Sequence, residues 1–508
     1  MSDENRPSPP GEVLGGPETA RLRAPRAILP DGFVDALVDV LGAESVSVDE
    51  ESCLRQGRDW WPISAVWATR QEVPARAEVV VRIRSAEEAA VAVALAGSGG
   101  VPVTVAAGRS GVCGGALPVA GGLVLDTTGL DRVFELDEES LRLRVGAGMF
   151  GDVLEARLRH LGYTLGHSPQ SIALSTVGGW LACRSAGQFS TRYGKIEDMV
   201  AALAVVTAEG RELRTGGAPR AATGPDLAGL FLGSEGTLGV ITEATLRVHP
   251  APATEARAAF RFPTFAAGLD ACRRTLRRGV TPAVLRLYDE IESARSLGES
   301  GHVMVVLDEG DPVVVAGAIE VTRAEFQATE GVEELGEAPV ERWMEHRYDV
   351  SGLGRAVQMG LVVDTIEVAA PWRALSGLYQ SVRSALASVP GALVASGHCS
   401  HSYLDGACLY FTFAGGVGDE AKDRAAAQDD YYRTSFRVAM EATIAGGGAI
   451  SHHHGIGLVR APFMRRALGE PAFEVLVALK RALDPKGILN PGKLGLPSPF
   501  LPSGWEWE

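Results

Sequence analysis

The run Ser451-His452-His453-His454-Gly455-Ile456-Gly457 holds the densest chemistry in the chain. Three consecutive imidazoles cannot all sit in an apolar core. Such rings bind metal, shuttle protons or hold a phosphate, and the metal role requires further ligands at suitable spacing. Glycine-rich segments upstream point to a flat or anionic ligand. Val105-Ala106-Ala107-Gly108-Arg109-Ser110-Gly111 continues through Val112 and Cys113 to Gly114-Gly115, and its small residues let backbone N–H groups converge on an anion. It is neither a G-x-G-x-x-G nor a Gly-Lys-Ser/Thr loop, which disfavours NAD and nucleoside triphosphates. Ser168-Pro169-Gln170-Ser171 runs into Ser175-Thr176-Val177-Gly178-Gly179-Trp180, where adjacent glycines admit a close backbone approach. Ala182 to Gly187, with Arg184 and Ser185, and Gly233 to Ile241, with Glu235, Gly236, Gly239 and Val240, complete the set. Any one of these is ordinarily a turn. In this order on one domain, turns alone are a poor explanation.

The elements that would carry them are short β-branched runs alternating with amphipathic helices. Strands are predicted at 79–83, 101–106, 122–126, 141–145, 201–207 and 213–215, with helices at 31–41, 85–96 and 150–161. This describes an α+β domain ending near Pro250. A second region has predicted strands at 284–288, 303–307, 392–396 and 408–413. Its helices fall at 264–277, 313–328, 371–389 and 419–446, and a βαβ-type sheet covered on one side is the economical packing. The resulting division is a mobile tail at 1–28, a ligand domain at 29–250, a cap at 251–450 and a returning segment at 451–508.

The chain has 508 residues and a formal net charge of -15, which argues against nucleic acid or an anionic membrane as the main partner. Its cysteines show no C-x-x-C pair, which fits a reducing cytoplasm. The N-terminus has no secretory h-region, and no apolar run is long enough to span a bilayer. Trp60, Trp61 and Trp67 are read as buried packing, with a homodimer contact or an apolar tunnel as the other readings.

With STVGGW, RSAGQFSTRYGKIEDMV and TGPDLAGLFLGSEGTLGVITEATLRVHP in view, the chain resembles the vanillyl-alcohol oxidase/PCMH flavoprotein family. Within it, the wording is similar to the ether-lipid branch, the alkyldihydroxyacetonephosphate synthases. The resemblance implies a PCMH-type FAD-binding domain of two α+β subdomains with an inserted α/β cap. It implies that Thr104–Ser110, with Gly111 following, holds the pyrophosphate. Pro169–Ser175 and Thr176–Gly179 then lie along the flavin with Ala182–Ser185, and Glu235–Ile241 beside it. Arg109 would be a cation near the phosphates, compensating for Ala106 and Ala107 where the family has glycines. On the substrate side the resemblance implies catalytic roles for Arg286, Tyr410, His452, His453 and His454, with proton and anion roles for the triplet and no metal. Without it, Arg286 is a strand arginine and Tyr410 a core aromatic. A further phosphate-contacting arginine of the branch falls by spacing on Leu353, with Arg355 two residues on, so that match fails.

The implied reaction exchanges acyl for alkyl on an acyl-dihydroxyacetone phosphate, a lipid-like substrate. The rival is an FAD-linked oxidase or dehydrogenase of a 2-hydroxy acid or alcohol. Asp484-Pro485-Lys486-Gly487 to Lys493 and His454-Gly455-Ile456-Gly457 resemble such enzymes. Their G-D-G-N-x-H motif, however, meets Tyr410 at the ligand position and their G-E-H-G-I-G has His453 in place of glutamate. A non-catalytic flavin sensor would need neither Tyr410 nor the triplet. Relatives that tether FAD covalently from the phosphate loop use a histidine there, and this loop has none. Acid-denatured protein is therefore expected to release its FAD into the supernatant; flavin that pellets with the polypeptide would contradict noncovalent binding.

Overall fold

The computed structural model describes residues 6–7, 20–24, 26–349, 356, 359–416 and 423–505. Most of the predicted tail, and Leu353 and Arg355, lie outside the described residues. Within the tail, Arg21–Leu22 pairs in parallel with Glu72–Val73, so that part is a strand.

β-branched runs around Ala86–Gly99 form the first subdomain. Val79–Arg82, Leu123–Asp126 and Val103–Ala106 pair in parallel, with Val46–Ser47 antiparallel at one edge. Ser85 caps the helix Ala86–Gly99 by accepting from the Glu88 N–H, and Gly100 ends it in the left-handed region. A second, antiparallel sheet runs Glu212–Gly216, Val200–Val206, Val240–Arg247, Arg142–Gly146, Val133–Asp137. The two sheets share one core, in which Val103, Leu123, Val145, Leu203 and Val240 are all buried.

The cap is a seven-stranded sheet, in the order Glu333–Gly336, Thr254–Phe262, His302–Gly310, Val284–Tyr288, Ala392–Ser402, Gly406–Gly416, Leu361–Pro371. Every neighbouring pair is antiparallel. The helices Phe265–Arg277, Pro312–Gln327, Trp372–Ala387 and Arg424–Ala445 bury one face, as the covered-sheet expectation required. Side chains alternate across a strand, so Leu285, Leu287, Phe411 and Phe413 enter that core while Arg286 and Tyr410 face the other way. That second face is what the cap presents to the FAD domain.

The chain then returns. Asn490 N–H donates to the Val103 carbonyl (2.7 Å) and Val103 N–H to Ile488 (2.8 Å), which docks the C-terminal segment on the first sheet. No helix among the described residues is long and apolar enough to cross a membrane. Trp61 and Trp67 are each 1% exposed and pack edge-on, 5.3 Å between centroids, while Trp60 reaches a cavity wall. The Trp61 indole N–H donates to the Tyr432 hydroxyl (2.8 Å), which donates to Asp364 Oδ2 (2.6 Å), joining the first domain to the cap. Burial raises the Asp364 carboxyl to about 6 against the opposing Tyr432 bond. Tyr432→Phe removes both bonds at a fully buried site and is expected to cost about 1–3 kcal/mol in chemical denaturation.

Candidate active site

A cavity of ≈ 360 Å³ lies between the FAD domain and the uncovered face of the cap sheet. Its floor is backbone and small side chains: residues 105–111, 169–171, 175–176, 178–179, 182, 185, 235–236, 239 and 241 all line it. A Cβ on Gly108 would stand 2.0 Å from the Leu174 carbonyl, so the two loops touch through main chain only. At Gly111 the same Cβ would meet nothing within 4 Å, so the backbone there faces open space. The loop therefore fits a bulky anion despite Ala106 and Ala107.

Three predicted cofactor residues are not at this wall. Thr104 and Val240 are buried, 2% and 0% exposed, because strand alternation turns them away while Val105, Gly239 and Ile241 face the cavity. Arg184 is in the left-handed region at the end of the helix Val177–Cys183, and its side chain turns out to Glu197 (3.3 Å). It lines a second cavity instead. Arg109 does line the main wall, and its guanidinium donates to the carbonyls of Arg55 and Arg58, holding the helix Glu50–Arg55 against the loop.

On the cap face, Arg286 donates from its guanidinium to His398 Nε2 (2.8 Å), and His398 Nδ1 lies 3.0 Å from Glu292 Oε2. Glu292 also accepts from Ser396 (2.9 Å) and Thr412 (2.7 Å). Burial pushes its carboxyl up, but His398, Arg295 and the Thr412 hydroxyl overcome this and hold it at about 2. Arg286 is 8% exposed, and its Nε has no hydrogen-bond partner. Arg347 shares Trp343 with it: the two guanidinium carbons lie 5.8 and 5.5 Å from that ring's centroid. Arg347 also donates to Gln188 Oε1 (3.1 Å) and to Ser168 Oγ (3.4 Å), which belongs to the flavin-side segment. Tyr410 donates to Thr365 Oγ1 (2.9 Å), and burial raises its phenol above the ordinary value.

The triplet adjoins Tyr410 on the cap side of the cavity: the His453 and His454 rings lie 6.0 and 5.5 Å from the Tyr410 ring. His453 and His454 line it, whereas His452 faces the second cavity. Glu367, on the strand Leu361–Pro371, is 0% exposed. Its Oε1 accepts from the Ser451 hydroxyl (2.7 Å) and from the backbone N–H groups of His452 (3.2 Å), His453 (3.1 Å) and His454 (2.7 Å). Its Oε2 pairs with the buried Arg460 and lies 3.1 Å from His454 Nδ1. Burial opposes the charge, yet Arg460 and His454 hold the carboxyl well below its usual range. From the FAD side, Glu235 accepts from the N–H groups of Ile456 (2.5 Å) and Gly457 (2.8 Å).

Sequence reading named many of the residues that line the cavity but did not single out Glu367, Thr365, His398, Glu292, His401 and Arg347. The strand Leu361–Pro371 was not predicted, because Asp364 and Glu367 interrupt its apolar pattern. Its period-2 apolar residues Val362, Ile366, Val368 and Ala370 were the available signal.

A split α+β domain with a backbone-lined trench, facing a capping sheet that carries buried ionisable groups, defines an FAD-dependent enzyme of the PCMH type. Residues 77–216 match the FAD binding domain family, and residues 251–494 match the C-terminal domain of FAD linked oxidases. An alkyldihydroxyacetonephosphate synthase of Trypanosoma brucei brucei is 30% identical, covering 95% of this chain and 83% of its own. The glycolate oxidase subunit GlcD of Bacillus subtilis (strain 168) is 27% identical, over 82% of this chain and 88% of its own. Among solved structures, an alkyldihydroxyacetonephosphate synthase superposes with a TM-score of 0.77 at 24% identity, covering 96% of this chain and 90% of that one. Substrate-bound p-cresol methylhydroxylase gives 0.71 at 17% identity, covering 92% and 99%. The chain belongs to the family of FAD-linked flavoenzymes that includes the alkyldihydroxyacetonephosphate synthases.

Glu367→Gln puts an NH₂ group or a neutral oxygen where four donors converge and leaves Arg460 uncompensated. Denaturation should show a loss of about 3–5 kcal/mol, the range for breaking a buried pair.

Proposed function

We propose that the protein exchanges an acyl for an alkyl group on an acyl-dihydroxyacetone phosphate, with FAD held noncovalently. The observation that carries this reading is Tyr410 and Arg286 on one cavity wall, beside a histidine triplet whose backbone is fixed by a buried carboxylate. FAD, when bound, supplies the electron-pair chemistry that side chains cannot. Residues 105–111 would hold its pyrophosphate through main-chain N–H groups, and 169–179 and 235–241 would flank its ring.

The substrate phosphate binds at Arg286, whose guanidinium is oriented by His398 and Glu292. Arg347, whose guanidinium also lies against Trp343, is the second cation that spacing assigned to Leu353. Its position between Gln188 and Ser168 links phosphate binding to the segment along the flavin. Tyr410, oriented by Thr365, moves a proton to or from the substrate together with His454, whose ring is held by Glu367 and lies 5.5 Å from the tyrosine ring. The acyl group leaves as a fatty-acid carboxylate, a long-chain alcohol replaces it, and there is no net oxidation.

The second reading, oxidation of a 2-hydroxy acid, is favoured by the likeness to the glycolate oxidase subunit. It is disfavoured by Tyr410 and His453 at positions where the resembling motifs have histidine and glutamate. In a fatty-acid release assay, Tyr410→Phe should keep its yellow FAD and lose turnover by on the order of 100-fold, as expected for removal of a proton-transfer group. Unchanged release would remove Tyr410 from the mechanism; 2-hydroxy-acid oxidation without any release would favour the second reading.

A further inference from the structure

The second cavity, of ≈ 360 Å³, has no part in this chemistry. It lies where the FAD domain, the cap and the returning loop meet, and Gly233, Ala369, Ser451 and Gly455 give it small walls. Cys183 and Glu235 line both cavities. Three charged side chains, Arg184, Lys195 and Glu197, line this one alone. Arg184 leaves the helix Val177–Cys183 in the left-handed region, and a Cβ on Gly233 would stand 2.8 Å from its Cδ. The arginine stem therefore lies directly against bare backbone.

The two cations crowd one oxygen of Glu197. Arg184 donates to Oε1 from Nε (3.4 Å) and from a terminal nitrogen (3.3 Å), and Lys195 Nζ lies 3.1 Å from the same atom. Glu197 Oε2 is buried and, among the described residues, has no hydrogen-bond partner. A buried acceptor left unsatisfied calls for an explanation. Lys195 spends its second N–H on the His452 carbonyl (2.6 Å), which leaves its third, and Arg184 keeps three of its five. The cavity thus offers cationic donors beside a single empty acceptor.

A ligand that satisfies both must be an anion with a hydroxyl of its own. Its charged oxygens accept from Lys195 and Arg184, and its hydroxyl donates to Glu197 Oε2. Inorganic phosphate keeps a proton at neutral pH and meets both demands; a small phosphate ester meets them with a hydroxyl on its carbon chain. Sulfate is fully deprotonated and would set a bare oxygen against the carboxylate. Glu235 also faces the cavity and opposes an anion, but its two oxygens are engaged by the N–H groups of Ile456 (2.5 Å) and Gly457 (2.8 Å). We propose that Arg184, Lys195 and Glu197 bind a hydroxyl-bearing phosphate, free or as a small ester, at a site separate from the substrate phosphate at Arg286. Lys195 joins that site to the histidine loop through the His452 carbonyl.

The test is equilibrium dialysis of the holoenzyme against labelled inorganic phosphate and, in a parallel arm, labelled sn-glycerol 3-phosphate, with sulfate as competitor. An Arg286→Met background weakens the hold of the main cavity on phosphate, and variants of the second cavity assign what remains. We expect one phosphate per chain there, bound on the order of 10-fold more weakly in Lys195→Met and in Arg184→Met, as for loss of a charge-assisted hydrogen bond. Sulfate should fail to displace it. Glu197→Gln, which puts an amide donor in place of the acceptor, should let sulfate compete, a gain that unfolding cannot produce. Flavin content shows that the other variants are folded. Tighter binding of the ester makes an organic phosphate the ligand; tighter binding of phosphate makes it the free ion. Absence of bound phosphate in the Arg286→Met holoenzyme, equal displacement by sulfate and phosphate while Glu197 is present, or undiminished binding in both Lys195→Met and Arg184→Met overturns the site. None of these readouts needs an acyl substrate, so the result stands apart from the outcome of the fatty-acid assay.

Discussion

A carboxylate without solvent, Glu367, sets the geometry of the reaction chamber. An isolated charge at that depth would be prohibitive, so it persists only because its partners converge on it. Arg460 supplies the countercharge, and Ser451 with three consecutive backbone N–H groups supplies the hydrogen bonds. The chain from 451 to 454 is thereby wrapped around one oxygen. Glu235 does the same for Ile456 and Gly457 from the other side. The histidine loop is thus clamped between two carboxylates, the buried Glu367 of the cap and the cavity-lining Glu235 of the FAD domain. The placement of the histidine loop along the cavity is consequently set by both domains at once.

The cap sheet solves the complementary problem of delivering polar groups to the same space. With one face sealed by four helices, strand alternation sends every second residue of three neighbouring strands toward the cofactor domain. Arg286, His398 and Tyr410 arrive there by parity alone. His401 does not; it needs the register slip after Cys399. Once placed, the groups restrain one another. His398 stacks between Tyr288 and Tyr410 at 4.8 and 4.9 Å, and it links Arg286 to Glu292. Lys493 performs a similar service below the trench: it donates to the Leu117 carbonyl (2.7 Å) and to Asn490 Oδ1 (3.2 Å), while the Asn490 amide caps the Glu235 carbonyl (2.5 Å). Burial lowers this lysine to about 7.

The cavity floor was legible because glycines and hydroxyl residues at loop positions carry a local message. Gly108 must be glycine because the Leu174 carbonyl meets it, although the glycine itself is visible in the loop without that partner. Thr104, Val240 and Arg184 were misplaced by one strand or helix position, since a loop quoted as a block does not say which residues face inward. The cap was harder. Glu367 and Asp364 look like loop residues in sequence; only Arg460, Ser451 and Tyr432, all far along the chain, make them strand residues. Arg347 escaped because spacing led to Leu353, whereas Trp343 brings its guanidinium beside Arg286. His401 gave no local sign that a bulge would turn it inward.

An anaerobic visible-absorption titration of the yellow holoenzyme with acyl-dihydroxyacetone phosphate tests the central claim most directly. The account predicts loss of the oxidised flavin bands together with release of fatty acid, without any added oxidant or reductant. An unchanged spectrum with no acid released, or bleaching without acid, would contradict it and leave an oxidoreductase acting on another substrate.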